Sequence, residues 1–212
     1  MLQFITHTIH GLEAALRGGC RWVQLRIKDV PDDEYLRTGY EAARLCRHYG
    51  ATFIVDDRVH LVNELKADGV HLGKNDMPVT DARSILGGKA IIGATANTFE
   101  DIKAASASGA DYIGLGPFRF TTTKKNLSPV LGAGGYTGII ASCRANGIRI
   151  PVVGIGGITL TDLPELGKTG LSGIAVSGLI LNSSDPELTT KEILQVWKNL
   201  SSEDANLTAG CL

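Results

Sequence analysis

Three polar side chains alternate with apolar ones in the segment WVQLRIK, which begins at Trp22 and has the pattern of a strand. Gln24, Arg26 and Lys28 therefore share one face, because successive side chains of a strand point to opposite sides. Arginine offers a planar fork of donors and lysine a point charge, so this face is suited to binding an anion. A salt-bridged lining of a barrel is the alternative interpretation of the same residues.

Carboxylates follow two later apolar runs. Asp56 and Asp57 end the segment TFIVDD, and Asp76 lies in KNDMP, directly after the run GVHLG. Carboxylates from neighbouring strand ends can bind one Mg²⁺, which prefers one or two of them together with water and phosphate oxygens. The sequence thus predicts magnesium beside the cationic strand, although an Asp-Asp pair also occurs as a helix cap or an arginine partner. His71, in VHL, is expected to pack in the interior and not to act as a base.

The stretch RFTTTKKNLSPVLGAGG, from Arg119 to Gly135, is long for a loop in a compact domain. Loops of this length are usually functional. Its hydroxyl, ammonium and backbone N–H donors suit phosphate oxygens, so we expect it to be a substrate lid. A polar loop without ligand contacts is the alternative.

These residues need a scaffold that brings strand ends together, and the order of apolar runs predicts one. Short apolar runs alternate with amphipathic segments at a spacing of about 20 to 30 residues, which is typical of repeated βα units. The eight predicted strands begin at Leu2, Trp22, Thr52, Gly69, Ala90, Tyr112, Pro151 and Gly173. In a chain of 212 residues this pattern favours an α/β fold, a single-domain (β/α)₈ TIM barrel, over a doubly wound open sheet. We expect the barrel to cover residues 1–200 and a flexible C-terminal tail to cover residues 201–212.

Two glycine-bearing strand ends, GIGGIT and AVSG, close the predicted barrel. Loops after the seventh and eighth strands of such barrels frequently bind a phosphate through glycine backbone amides and the start of a short helix. The sequence therefore predicts a phosphate site at Gly156, Gly157, Val176 and Ser177.

The composition of the chain argues against some classes of binding partner. The formal net charge is −1, so the chain has no overall basic field for nucleic acid or an anionic membrane. No apolar run reaches the roughly 20 residues of a membrane span. Four cysteines occur without a CxxC pair, which is typical of reduced thiols in a cytoplasmic protein. A homodimer is the assembly expected of so lean a barrel, although no interface can be read from one chain.

Ordered motifs over nearly the whole chain resemble the thiamine phosphate synthase family. They are QLRIKD from Gln24, DDRV from Asp56, DGVHLGKNDMP from Asp68, IGATANT from Ile92, GLGPFRFTTTKK from Gly114, VVGIGGIT from Val152 and AVSGLI from Ala175. Members of that family are transferases that act on small phosphorylated substrates. They join 4-amino-2-methyl-5-hydroxymethylpyrimidine pyrophosphate to 4-methyl-5-hydroxyethylthiazole phosphate, and they release thiamine phosphate and pyrophosphate.

The resemblance implies a role for each matching residue and a dissociative reaction in which pyrophosphate leaves before the thiazole nitrogen attacks. The pyrimidine pyrophosphate would contact Gln24, Arg26, Lys28, Asp56, Thr95 and Lys124, of which Arg26, Lys28, Thr95 and Lys124 would be catalytic. The thiazole phosphate would contact Thr121, Thr122, Thr123, Gly157, Val176 and Ser177. Mg²⁺ would be bound by Asp57 and Asp76.

A few positions depart from the family pattern. Asp56 stands where the family commonly has Asn, which leaves open whether it binds metal or lies beside the pyrophosphate. Thr95 replaces a more usual Ser, and Arg119 replaces an apolar residue. A related thiazole tautomerase, which uses a histidine after the sixth strand, is one alternative; GPFRFTTTKK contains none. The other alternative is a non-catalytic sensor of thiamine intermediates.

Overall fold

Eight parallel strands form one closed barrel in sequence order, with the last strand paired to the first. The structure, a computed structural model, describes residues 1–120 and 129–209, of which residues 201–209 are described as backbone alone. The predicted barrel is confirmed, and the open sheet is excluded. The strands are β1 (Leu2–Thr6), β2 (Trp22–Leu25), β3 (Thr52–Asp56), β4 (Gly69–Leu72), β5 (Ile91–Ala96), β6 (Tyr112–Leu115), β7 (Val152–Ile155) and β8 (Gly173–Val176).

Helices cover the outside of the barrel. Pro31 and Pro78 directly precede two of them, where a fixed φ and a missing N–H suit a helix start. Thr98 and Asp101 cap a third by exchanging hydrogen bonds with each other's backbone. The helices are α1 (Leu12–Arg17), α2 (Asp32–His48), α3 (Val62–Leu65), α4 (Val79–Leu86), α5 (Phe99–Ala107), α6 (Gly132–Ala145), α7 (Leu163–Gly167), α8 (Gly178–Leu181) and α9 (Pro186–Ala209).

Alternation along the strands divides the core into two layers. Side chains such as Phe4 and Ile92 point outward and pack with the helices. Side chains on the other face point into the barrel, where Ile5, Tyr112 and Val153 form a smaller cluster. The outward layer holds the helices on the barrel, which leaves the inner face free to carry polar groups towards the strand ends.

Two predicted segment ends differ from the structure. β2 ends at Leu25, so Arg26 and Lys28 lie in the following loop and not on the strand. The Arg26 N–H still donates to the Thr6 carbonyl oxygen at 2.7 Å, which continues the direction of the strand for one residue. The helix α6 begins at Gly132, within the stretch that was predicted to be loop as far as Gly135.

The last helix continues past Leu200, the predicted end of the barrel, and reaches Ala209. Residues 201–209 contain neither proline nor glycine, and the next glycine after the helix is Gly210. The backbone therefore meets no strong helix breaker before that position. The boundary between barrel and tail stays a prediction.

Three described cysteines, Cys20, Cys46 and Cys143, are buried and free. Burial raises the pKa of Cys20 to about 11, so its thiol stays protonated near neutral pH. In the described part of the chain, no helix combines the length and the apolar character needed to cross a bilayer.

Candidate active site

The carboxylate of Asp56 lies at the centre of the predicted anion site. Its Oδ1 accepts a hydrogen bond from Gln24 Nε2 at 2.7 Å. Its Oδ2 lies 2.8 Å from Lys28 Nζ and 3.6 Å from Arg26 Nε. The structure therefore brings these residues together at the C-terminal ends of β2 and β3, and it shows the cations paired with an acid.

Asp57 follows directly and turns the chain away from the barrel. Its φ of 61° is left-handed, and its N–H donates to the His71 carbonyl oxygen at 2.9 Å. This bond ties the end of β3 to β4, and the Lys28 ammonium contacts the Asp57 carboxylate as well as that of Asp56. The unusual backbone conformation of Asp57 thus aims its carboxylate at the same cation, and strain of this kind is common at functional sites.

Asp76 lies one strand further along, in the turn after β4. Its carboxylate accepts the Gly73 N–H at 2.7 Å, and its own N–H donates to the Gly73 carbonyl oxygen. This turn, with Thr95 from β5, lines a cleft of about 250 Å³. The hydrogen bonds fix the carboxylate at the rim of the barrel mouth.

The carboxylates at the rim can be compared with the ligands that Mg²⁺ requires. Within residues 1–120 and 129–200, no three His, Cys, Asp or Glu side chains are grouped as a metal site. Mg²⁺ needs fewer, because phosphate oxygens and water complete its octahedron. Asp57 and Asp76 follow adjacent strands, and the Lys28 ammonium already lies between Asp56 and Asp57, so the rim accommodates positive charge. The residues fit a carboxylate site that substrate completes.

A chain of hydrogen bonds crosses the barrel interior below this rim. Gln3 Nε2 donates to the Tyr112 hydroxyl at 3.1 Å, that hydroxyl lies 3.0 Å from His71 Nδ1, and His71 Nε2 lies 3.0 Å from the Thr95 hydroxyl. His71 is buried, as the sequence predicts. Neither Gln3 nor Tyr112 was predicted from the sequence, although the inward position of each on its strand was an available signal.

Gly93 makes room for this polar chain. A Cβ at Gly93 would lie 2.1 Å from Cζ of Tyr112, far inside ordinary contact distance. The Tyr112 ring also packs edge-on against Trp22 at 4.7 Å between ring centroids. The ring is thus enclosed on several sides, which fixes the groups that orient Thr95.

The glycine turn after β7 has backbone angles that only glycine adopts easily. Gly156 has φ of 102° and Gly157 φ of 70°, and a Cβ on Gly157 would lie 2.4 Å from Cγ of Arg119. The Arg119 N–H donates to the Gly156 carbonyl oxygen at 3.1 Å. Glycine is required here by the close approach of the segment after β6, quite apart from any phosphate.

Arg119 also forms an ion pair that joins the same two loops. Its Nη2 lies 2.6 Å from Asp162 Oδ1. Burial alone would raise the pKa of Asp162, but hydrogen bonds from Thr159 and Arg119 outweigh it and lower the pKa. The start of the predicted lid is therefore held against the loop that follows β7.

Val176 ends β8 beside this turn, and Ser177 follows it. The Val176 side chain packs in the outer core, so only its backbone can face a ligand. Ser177 precedes α8, and its carbonyl oxygen accepts the N–H groups of Ile180 and Leu181 at 3.0 Å. The predicted contacts of Thr121, Thr122, Thr123 and Lys124 lie outside the described residues.

Comparison with known proteins gives a consistent result. A family model described as thiamine monophosphate synthase matches residues 2–180. The thiamine-phosphate synthase of Phocaeicola vulgatus is 56% identical over 201 residues, which cover 92% of this chain and 97% of that protein. The thiamine-phosphate synthase of Bacteroides fragilis is 53% identical over 201 residues, which cover 92% of this chain and 98% of that protein. A solved thiamine phosphate pyrophosphorylase from Pyrococcus furiosus is 34% identical, covers 94% of this chain and 96% of its own, and has a TM-score of 0.84.

Proposed function

The chain belongs to the thiamine monophosphate synthase family, and we propose how its barrel mouth performs the thiamine-phosphate synthase reaction. It is a transferase that condenses the hydroxymethylpyrimidine pyrophosphate with the thiazole phosphate and releases pyrophosphate. The observation that carries the proposal is the convergence of Gln24, Arg26 and Lys28 at the end of β3, next to Asp57. This cluster is the diphosphate end of the site.

Departure of pyrophosphate from the pyrimidine methylene carbon is the difficult step, because negative charge accumulates on the bridging oxygen. Arg26 and Lys28 offset that charge from the end of β2, and preorganised donors of this kind are effective where water is excluded. Lys124 is assigned to the same oxygens. Thr95 contributes its hydroxyl, which His71 holds at 3.0 Å. No general base is needed, since the thiazole nitrogen attacks with its own lone pair.

Asp57 and Asp76 are the residues that would hold Mg²⁺ at the rim. When bound, the ion neutralises diphosphate charge and so makes the leaving group more stable. The Gly73 N–H keeps the Asp76 carboxylate in place. Lys28, whose ammonium contacts Asp57 in this structure, would then be available to the diphosphate.

The thiazole phosphate is assigned to the other side of the mouth, at the backbone of Gly157, Val176 and Ser177. Thr121, Thr122 and Thr123 are proposed to close over it as a lid. The ion pair between Arg119 and Asp162, at 2.6 Å, anchors the beginning of that lid. A closed lid keeps water from the pyrimidine-methyl cation and holds the thiazole in line with it.

The assignment is tested by incubating the purified protein with both phosphorylated substrates, with and without Mg²⁺, and measuring thiamine phosphate. We expect product only when the metal is present. Absence of product under every metal condition would refute the synthase activity. Undiminished product after exhaustive chelation would refute the metal assignment alone. Isomerisation of the thiazole phosphate without condensation would indicate a tautomerase.

A further inference from the structure

The Asp56 carboxylate contacts every described diphosphate group of β2 and the loop after it, and yet it carries the same sign of charge as the diphosphate. Gln24 Nε2 and Lys28 Nζ lie 2.7 and 2.8 Å from its oxygens. Its side chain is only 5% exposed, so water screens it weakly. A site designed only for attraction would not place an acid there.

The position of this acid is determined by the fold. Asp56 is the last residue of β3 and pairs in register with His71 of β4, and its N–H donates to the Tyr35 hydroxyl oxygen at 3.4 Å. Tyr35 is fully buried and donates to the Leu25 carbonyl oxygen at 2.7 Å. The backbone of Asp56 is therefore fixed at the end of β3, and the hydrogen bond from Gln24 keeps its carboxylate directed at the cations.

A carboxylate and a diphosphate compete for the same donors. A bound diphosphate must take Arg26 and Lys28 from Asp56, and it then lies beside an acid that has lost both of its cationic partners. Both effects weaken diphosphate binding. When the diphosphate leaves, the two cations return to a partner that is already in place, so they need not be re-solvated.

We infer that Asp56 is a positioning residue that acts as an internal counter-ion: it holds Arg26 and Lys28 in the free enzyme and lowers the affinity of the released pyrophosphate. The inference rests on the proposed function, because it takes these cations to be the diphosphate site. Its consequence for turnover is faster product release. A merely structural role for Asp56 predicts the opposite effect of its removal, since a disordered site binds more weakly.

The test is calorimetric titration of inorganic pyrophosphate into the wild-type protein and Asp56→Asn in a chelating buffer. Asn has the same shape without the charge, and we expect its pyrophosphate Kd to be at least about tenfold lower. Asp111→Asn is the matched control: Asp111 pairs with Arg83 at the opposite end of the barrel. The control removes the same charge and should leave the Kd unchanged.

A smaller uncharged variant, Asp56→Ser, must change the Kd in the same direction, which covers the case that Asn itself does not fold. In steady-state assays, Asp56→Asn must also show stronger product inhibition by pyrophosphate. Weaker or unchanged binding in a folded variant overturns the inference, as does the failure of wild-type and variants alike to bind pyrophosphate. If the tightening is seen but no thiamine phosphate forms, the counter-ion stands and the proposed function fails.

Discussion

Gly93→Ala tests whether the polar chain inside the barrel is required for stability and for orienting Thr95. The new Cβ would lie 2.1 Å from Tyr112 Cζ and 2.5 Å from its hydroxyl oxygen, whereas ordinary contacts begin at 3.4 Å. The ring must therefore move by more than an ångström. It is 3% exposed and hydrogen-bonded to Gln3 and His71, so it cannot move without losing those bonds.

The expected decrease in the free energy of unfolding has two contributions. Overpacking costs about 1–3 kcal/mol, and each disrupted hydrogen bond about 1 kcal/mol, so we expect a total of about 2–5 kcal/mol. This is a large part of the roughly 5–15 kcal/mol that stabilises a typical domain. In a chain of this size the melting temperature should fall by on the order of 10 °C.

The assay is urea and thermal unfolding followed by circular dichroism. Gly138→Ala, in the middle of α6, is the matched control, because a Cβ there would meet nothing within 4 Å. Alanine favours a helix over glycine, so this variant should gain about 1 kcal/mol. Equal stability of the two variants would refute the reasoning. Normal turnover by a destabilised Gly93→Ala would show that the polar chain is needed for stability but not for positioning Thr95.

Other predictions concern the metal, the lid anchor and acid stability. Asp76→Ala and Lys124→Ala should each lower turnover at least about tenfold with the fold intact, whereas Asp81→Ala, in the exposed first turn of α4, should be nearly normal; near-normal turnover of the first two would contradict the diphosphate assignment. Arg119→Met removes the ion pair to Asp162 and should raise the KM for the thiazole phosphate by about threefold or more with a smaller change in kcat; a change in kcat alone would argue against an anchored lid. The lowered pKa of Asp162 contributes stability that is present above its unfolded value of 3.8 and is lost as pH falls through the lower folded value. Between pH 5 and pH 3, the free energy of unfolding measured in urea should therefore decrease less in Asp162→Asn than in the wild type. Equal decreases would exclude this contribution of Asp162.

The barrel itself could be predicted from sequence because it depends on local periodicity. Strands begin at Leu2, Thr52, Gly69 and Gly173 as the apolar runs predict. Buried parallel strands are continuous apolar runs, and their regular spacing by helical segments defines the βα repeat. Strand ends were less accurate, since the pattern of WVQLRIK continues after β2 has ended at Leu25.

The contacts within the site could be predicted only in part. Position at strand ends indicated that Asp56 lies near Arg26 and Lys28, but not that it pairs with both. The chain from Gln3 to Thr95 was missed because it runs across the barrel between strands distant in sequence. Such contacts depend on the registers and tilt of the whole barrel, and neither is encoded in any one segment.

The pairing of Leu2 with Ile174 has a consequence for how the molecule assembles during synthesis. Of the eight barrel strands, β1 is the first to be made, but its partner on one side, β8, is the last of the eight. Until then the growing sheet has an open parallel edge, which is slow to pair and prone to association with other chains. The two halves of the mouth are likewise made at different times, with Asp57 early and Ser177 late. Substrates therefore cannot stabilise a nascent chain by binding to it, because the complete set of binding groups exists only after the barrel has closed.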